Sequence, residues 1–111
     1  MVLQPGNYYL DEPLRVQHDG QVLLGLGMAT LIATNGNACI EVADGIDARI
    51  AGLLLEAGET KSEALLKWGT DKSKGNPDKP GVISDVFVRV GGRTDSTKGE
   101  VSAQRMIEIN N

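Results

Sequence analysis

Apolar residues along this chain come in short bursts, cut apart by Gly, Asn, Asp and Pro. The two most regular bursts are Cys39–Val42, closed by Ala43-Asp44-Gly45, and Arg49–Leu55, closed by Ala57-Gly58. Leu14-Arg15-Val16 alternates apolar and polar positions, which is the period of a strand that buries one face. A helical period is nowhere sustained. Its best candidate, Glu59–Lys67, is read as a turn leading into a strand, because Leu65-Leu66 falls where the pattern expects one.

The bursts recur. Ala38, Ile40 and Val42 share one parity, and Ala64, Leu66 and Trp68 match them 26 positions later. Ile107 and Ile109 match again, 41 positions further on. The opposite parity reads Glu41, Lys67, Glu108. A second set of strands aligns Gly25 with Gly52 and Asp85, Leu26 with Leu53 and Val86, Met28 with Leu55 and Val88, and Glu56 with Arg89. A repeat in the twenties, with loops absorbing the length changes, is the signature of a solenoid whose coils bury their apolar sides only by stacking. The predicted fold is all-β: a right-handed parallel β-helix of about three coils, occupying residues 1–111 as one domain or as a fragment of a longer β-helix. Opposite charges adjacent in the Glu41–Lys67–Glu108 and Glu56–Arg89 columns suit an in-register parallel stack. A β-sandwich is the competing arrangement, but it needs tight hairpins, and two-residue hairpin signals are scarce here.

Composition narrows the classes of function. Hydrophobic content of 41% and charged content of 23% describe an ordinary folded chain, and aromatics at 4% leave the core to Leu, Ile, Val and Ala. A net charge of −4 without a Lys/Arg cluster argues against nucleic acid as a partner. No apolar run is long enough for a membrane helix, and MVLQPGNYYL lacks the features of a signal peptide. The single cysteine, Cys39, rules out a disulfide within the chain and a cysteine-based metal site. No metal or cofactor is expected.

Several segments together carry a resemblance. Pro5-Gly6-Asn7-Tyr8-Tyr9-Leu10 followed by Pro13-Leu14-Arg15-Val16 resembles the opening of pectate-lyase-like right-handed β-helices. Val22–Leu31, Ile40–Asp44, Leu53–Gly58 and Ser84–Gly92 extend it over most of the chain. Together they are similar to an interior portion of bacterial secreted proteins related to glycoside hydrolase family 55, the β-1,3-glucanases. The resemblance implies a long β-helix, polysaccharide as ligand and an extracellular location. It implies acid–base hydrolysis of glucans in the family, but no catalytic carboxylate carries over, because no catalytic motif of the family is matched here.

Glycoside hydrolysis needs two carboxyl groups at a set separation. The candidates are Asp44, Asp47, Glu56, Glu59 and Asp85. Asp44 and Asp47 flank a turn and are expected to shape it. Glu56 is expected to face Arg89 in a solvated ion pair. Asp85 stands in an apolar strand at a column filled elsewhere by glycine, which suits a functional carboxylate or a backbone bend. Trp68 could stack a sugar ring, although its parity favours core packing. Asp85 and Glu56 are therefore the catalytic candidates and Trp68 the ligand-binding one. His18 falls in a polar turn and has no second histidine to share a metal. Cys39, on the outward parity beside Leu65 and Met106, is expected to pack under a loop or interface. Gly25-Leu26-Gly27 lacks the third glycine of a dinucleotide fingerprint, and Asp71–Asp78 lacks the order of a calcium loop.

The functional expectation is a non-catalytic piece or reduced relative of a glycan-active, glucanase-like β-helix protein. The alternative is a structural or self-assembling solenoid module without a small-molecule ligand. Uncapped coil ends predict a homo-oligomer or a missing β-helix segment.

Overall fold

The structure is a computed structural model of the 111-residue chain and describes residues 1–70, 77–91 and 102–110. Strands β1 (Val2–Leu3), β2 (Asn7–Leu10), β4 (Val22–Ala33), β6 (Arg49–Glu56) and β8 (Val82–Arg89) form one sheet. Strands β3 (Leu14–Val16), β5 (Ile40–Val42), β7 (Ser62–Trp68) and β9 (Ala103–Ile109) form the other. Every pairing is parallel. No helix occurs among the described residues. From β2 to β9, consecutive strands fall in opposite sheets without exception. A strand therefore pairs with the one two places on, and its crossover is the strand between them. Glu59–Lys67 is a turn running into β7, as its place in the repeat predicts.

The β3–β5–β7–β9 sheet holds the predicted columns. Ile40 pairs with Leu66 and Leu66 with Ile107, while Val42 pairs with Trp68 and Trp68 with Ile109. Leu14 and Val16 extend these columns onto β3. Ile40 and Leu66 are fully buried against Leu31, Ile50, Leu53 and Leu55 of the facing sheet. Apolar side chains from two inner faces thus make one continuous core, with branched aliphatics doing what aromatics do in other small domains.

The other sheet departs from the predicted alignment. Val22, Leu23 and Leu24 pair with Arg49, Ile50 and Ala51, but the register then shifts and resumes at Ala29 opposite Leu53. Leu53 is thus aligned with Ala29 rather than Leu26, and Leu55 with Leu31 rather than Met28. Leu26 and Met28 are exposed. Three extra residues of β4 leave the ladder here as an enlarged bulge, with Gly27 at φ 59° and Met28 at φ 57°. Periodicity cannot detect such an insertion, because removing residues from the ladder resets the parity on either side. The column through the bulge survives: Gly52 (φ 73°) and Asp85 (φ 51°) occupy equivalent places between paired neighbours. Gly52 is confined for a second reason, since a Cβ there would lie 2.4 Å from the carbonyl oxygen of Gly25.

Candidate functional site

The polar parity of the β3–β5–β7–β9 sheet forms a charged ladder. Arg15 pairs with Glu41, Glu41 with Lys67 and Lys67 with Glu108. The sign alternates at every step, and Arg15 adds one rung to the column read from sequence. Neighbouring rungs are separated by the interstrand spacing of about 4.8 Å. Arg15 Nε lies 3.9 Å from Glu41 Oε2, and Lys67 Nζ lies 3.9 Å from Glu63 Oε2 on the same strand face. Such half-exposed pairs contribute at most about 1 kcal/mol each, so they order the face more than they hold the fold.

A groove of about 470 Å³ runs along this face. Arg15, Glu41, Lys67 and Glu108 line it with Glu63, and the turns beyond the strands close it with Gln17, Thr70 and Asn110. Thr70 is positioned by Asp44, whose carboxylate accepts hydrogen bonds from the Thr70 amide and hydroxyl, the latter at 2.9 Å. Asn110 Nδ2 donates to the Gly69 carbonyl at 3.5 Å. Glu108 Oε2 is buried and accepts no hydrogen bond from any described residue. The groove thus offers donors and acceptors in alternation, together with one unsatisfied carboxylate oxygen. Its members are scattered between residues 15 and 110 and are united only by register.

The sequence-predicted residues lie elsewhere. Asp85 is exposed in β8, in left-handed backbone at φ 51°. Glu56 ends β6 and pairs with Arg89, but it is not solvated: only 3% of its side chain is exposed, against 45% for Arg89. The expected solvated pair is instead a buried carboxylate capped by a half-exposed guanidinium, because Glu56 follows the buried Leu55 into the junction between the sheets. Trp68 is half-buried against the core and packs on Gly81, where a Cβ would come within 2.1 Å of the indole. None of these three lines the groove.

Asp47 braces not the turn it flanks but the polar turn Gln17–Gln21. Its carboxylate accepts from the Gly20 amide at 2.7 Å, and its own amide donates to Asp19 Oδ1 at 3.1 Å. His18 is exposed in the same turn. The cysteine expectation needs correcting. Cys39 is fully buried in the core with Leu65, while Met106 is exposed. Strict alternation fails at Ala64–Leu66, which are all buried, and outward parity there leads inward. The Cys39 thiol donates to the Leu31 carbonyl at 3.5 Å, and burial pushes its pKa up to about 12. Most of Asp71–Asp78 lies outside the described residues. Among the described residues no cluster of His, Cys, Asp and Glu could hold a metal ion.

Similarity to known proteins accounts for this architecture. The family of the LAM55 pectate lyase-like domain matches residues 1–111. An exo-beta-1,3-glucanase of Streptomyces sp. (strain SirexAA-E / ActE) is 40% identical over 93 residues, covering 83% of this chain and 15% of that protein. The structure of a variant of sacteLam55A from Streptomyces sp. SirexAA-E in complex with glucose superposes with a TM-score of 0.85 at 37% identity, covering 96% of this chain and 18% of that one. A second sacteLam55A structure gives 0.75 at 42% identity, over 78% and 16% of the two chains. The chain therefore spans less than a fifth of the relatives it matches. With two parallel sheets, stacked columns and a family match along its whole length, the chain belongs to the LAM55 pectate lyase-like domain family.

Proposed function

We propose that residues 1–111 are about three coils of a right-handed parallel β-helix, forming one domain or one stretch of a longer β-helix. We propose further that they serve a glycan-active protein as a non-catalytic, carbohydrate-contacting part. The observation that carries this reading is the groove over the charged ladder. Donors and acceptors alternate along it at the strand spacing, which suits a chain of sugar hydroxyls that both give and receive hydrogen bonds. Its three glutamates outnumber its two basic residues, so a polyanionic glycan would be repelled and a neutral glucan accepted. The relative's designation as an exo-beta-1,3-glucanase points to β-1,3-glucan, and the same relationship favours an extracellular setting.

Catalysis is assigned elsewhere in such a protein. Glu41 and Glu63 lie in ion pairs with Arg15 and Lys67. Asp85 is taken as a bend, since its backbone repeats the left-handed conformation of Gly52. Glu56 and Trp68 are taken as packing residues, being more buried than a sugar-facing role requires.

Affinity electrophoresis in gels carrying soluble β-1,3-glucan or polygalacturonate tests the reading, with a reducing-sugar assay run alongside. The expected result is retardation by the glucan alone, weakened severalfold in Lys67→Ala and Glu41→Ala, without sugar release. Unaltered mobility in glucan would overturn the binding role. Sugar release above the blank would overturn the non-catalytic one.

A further inference from the structure

Aspartate or asparagine stands directly before glycine at Asp19-Gly20, Asn35-Gly36 and Asp44-Gly45. Such a pair can react with itself. The glycine amide nitrogen attacks the side-chain carbonyl carbon of the residue before it, and glycine has no Cβ to hinder the approach. The structure separates the three pairs. The Gly20 amide is engaged, donating to the Asp47 carbonyl at 2.8 Å and to Asp47 Oδ1 at 2.7 Å. Asp44 offers a carboxylate, a poor electrophile, and both of its oxygens accept from Thr70. Neither restraint applies at Asn35-Gly36. Asn35 is exposed, its side chain makes no hydrogen bond to a described residue, and the Gly36 amide donates to none.

The corner around this pair is pinned at both ends by neighbouring coils. The Thr34 amide and hydroxyl donate to the Leu10 carbonyl at 2.8 and 3.0 Å, and the Cys39 amide donates to the Leu65 carbonyl at 2.8 Å. Between these points Asn37 is held on every side. Its Oδ1 accepts from the Asn35 amide at 3.0 Å and its Nδ2 donates to the Ala38 carbonyl at 2.9 Å. Its own carbonyl accepts from the hydroxyl of the fully buried Ser62 at 2.8 Å. Asn37 also precedes the buried Ala38, whose Cβ obstructs ring closure. Asn35 has no such protection.

We propose that Asn35-Gly36 is a site of self-modification. The Gly36 amide gives its proton to a solvent base, and its nitrogen bonds to Asn35 Cγ. The Cγ–Nδ2 bond breaks and Nδ2 leaves as ammonia, so that a cyclic succinimide remains. One water molecule then opens the ring. Opening at Cγ gives aspartate, and opening at the backbone carbonyl gives isoaspartate, through which the chain runs by way of Cβ and Cγ. Each product adds a negative charge. Isoaspartate also inserts one extra atom between the two pinned ends, so Asn37 shifts and the buried Ser62 hydroxyl loses its acceptor.

Incubation of the folded chain at mildly alkaline pH, beside the same chain unfolded in urea, tests this. Isoelectric focusing should show a growing acidic band, and peptide mass spectrometry with electron-transfer fragmentation should place aspartate and isoaspartate at position 35 while Asn37 stays intact. The folded chain should react within about a hundredfold of the rate in urea, because the pair is open in the native state. A larger deficit would mean that attack waits for global unfolding, and it overturns the site. Acid forming first at Asn37 overturns it as well. Asn35→Gln, whose longer side chain closes a less favourable ring, should remove the band, and a band that persists is a third contrary result. The purified isoaspartate form should melt roughly 4 °C or more below the unmodified chain. Asn35→Asp, which adds the charge without the extra backbone atom, should melt within about 1 °C of it. Equal melting of the isoaspartate and unmodified forms would overturn the effect on the Ser62 contact.

Discussion

The two sheets of this molecule obey different rules. In the β3–β5–β7–β9 sheet the ladder from Arg15 to Glu108 keeps its register without a bulge, although burial does not alternate at Ala64–Leu66. In the facing sheet β4 leaves the ladder between Leu24 and Ala29, and β4, β6 and β8 each carry a left-handed residue near the same place: Met28, Gly52 and Asp85. One sheet is thus specified by side-chain periodicity, the other also by backbone conformation. The flat face carries the groove, because only an uninterrupted register can line up polar side chains that lie 26 and 41 positions apart in the chain.

That contrast can be broken experimentally. In the regular sheet the effect of a substitution should depend on the coil, not the column. Leu66→Ala, at a fully buried position, should cost about 2–5 kcal/mol in urea unfolding. Ile107→Ala, one rung along and partly exposed, should cost under about 1.5 kcal/mol. Equal costs would mean that the column is covered at both places.

In the bulged sheet the backbone should dominate. Gly52→Ala puts a Cβ in left-handed backbone against the Gly25 carbonyl and should cost about 2 kcal/mol or more. Asp85→Gly, in the same column, relieves a left-handed non-glycine residue and should be neutral or stabilising by up to about 1 kcal/mol. A marked loss of stability in Asp85→Gly would show that its carboxylate, not its backbone, matters to the fold.

The last effect emerges only at alkaline pH and is set where the two sheets meet. The Cys39 pKa is raised from 9.0 to about 12 in the folded chain, so the unfolded chain releases that proton first as pH rises. The associated stability is fully present below pH 9 and is lost between 9 and about 12. Comparing unfolding midpoints of the unmodified chain and Cys39→Ala across that range should show the difference narrowing with pH. In the native state at pH 8 the thiol should be inert to alkylating reagents, becoming reactive on unfolding.

By itself the sequence determined the all-β character, the parallel columns of Ile40–Leu66–Ile107 and Val42–Trp68–Ile109, and the alternating charges beside them. It did so because an in-register stack makes each residue's place a matter of parity, which can be read along the chain. It also revealed the kinship with the pectate-lyase-like β-1,3-glucanase group through Pro5–Leu10 and the segments that follow. What only the tertiary structure decided was the looping out of Leu26–Met28, the burial of Glu56 and Cys39, and the meeting of Arg15, Thr70 and Asn110 around one groove. A bulge is a choice of backbone angles that hydrophobic pattern does not encode. Burial at a sheet junction is set by neighbours from other coils, and a groove exists only once those coils are stacked.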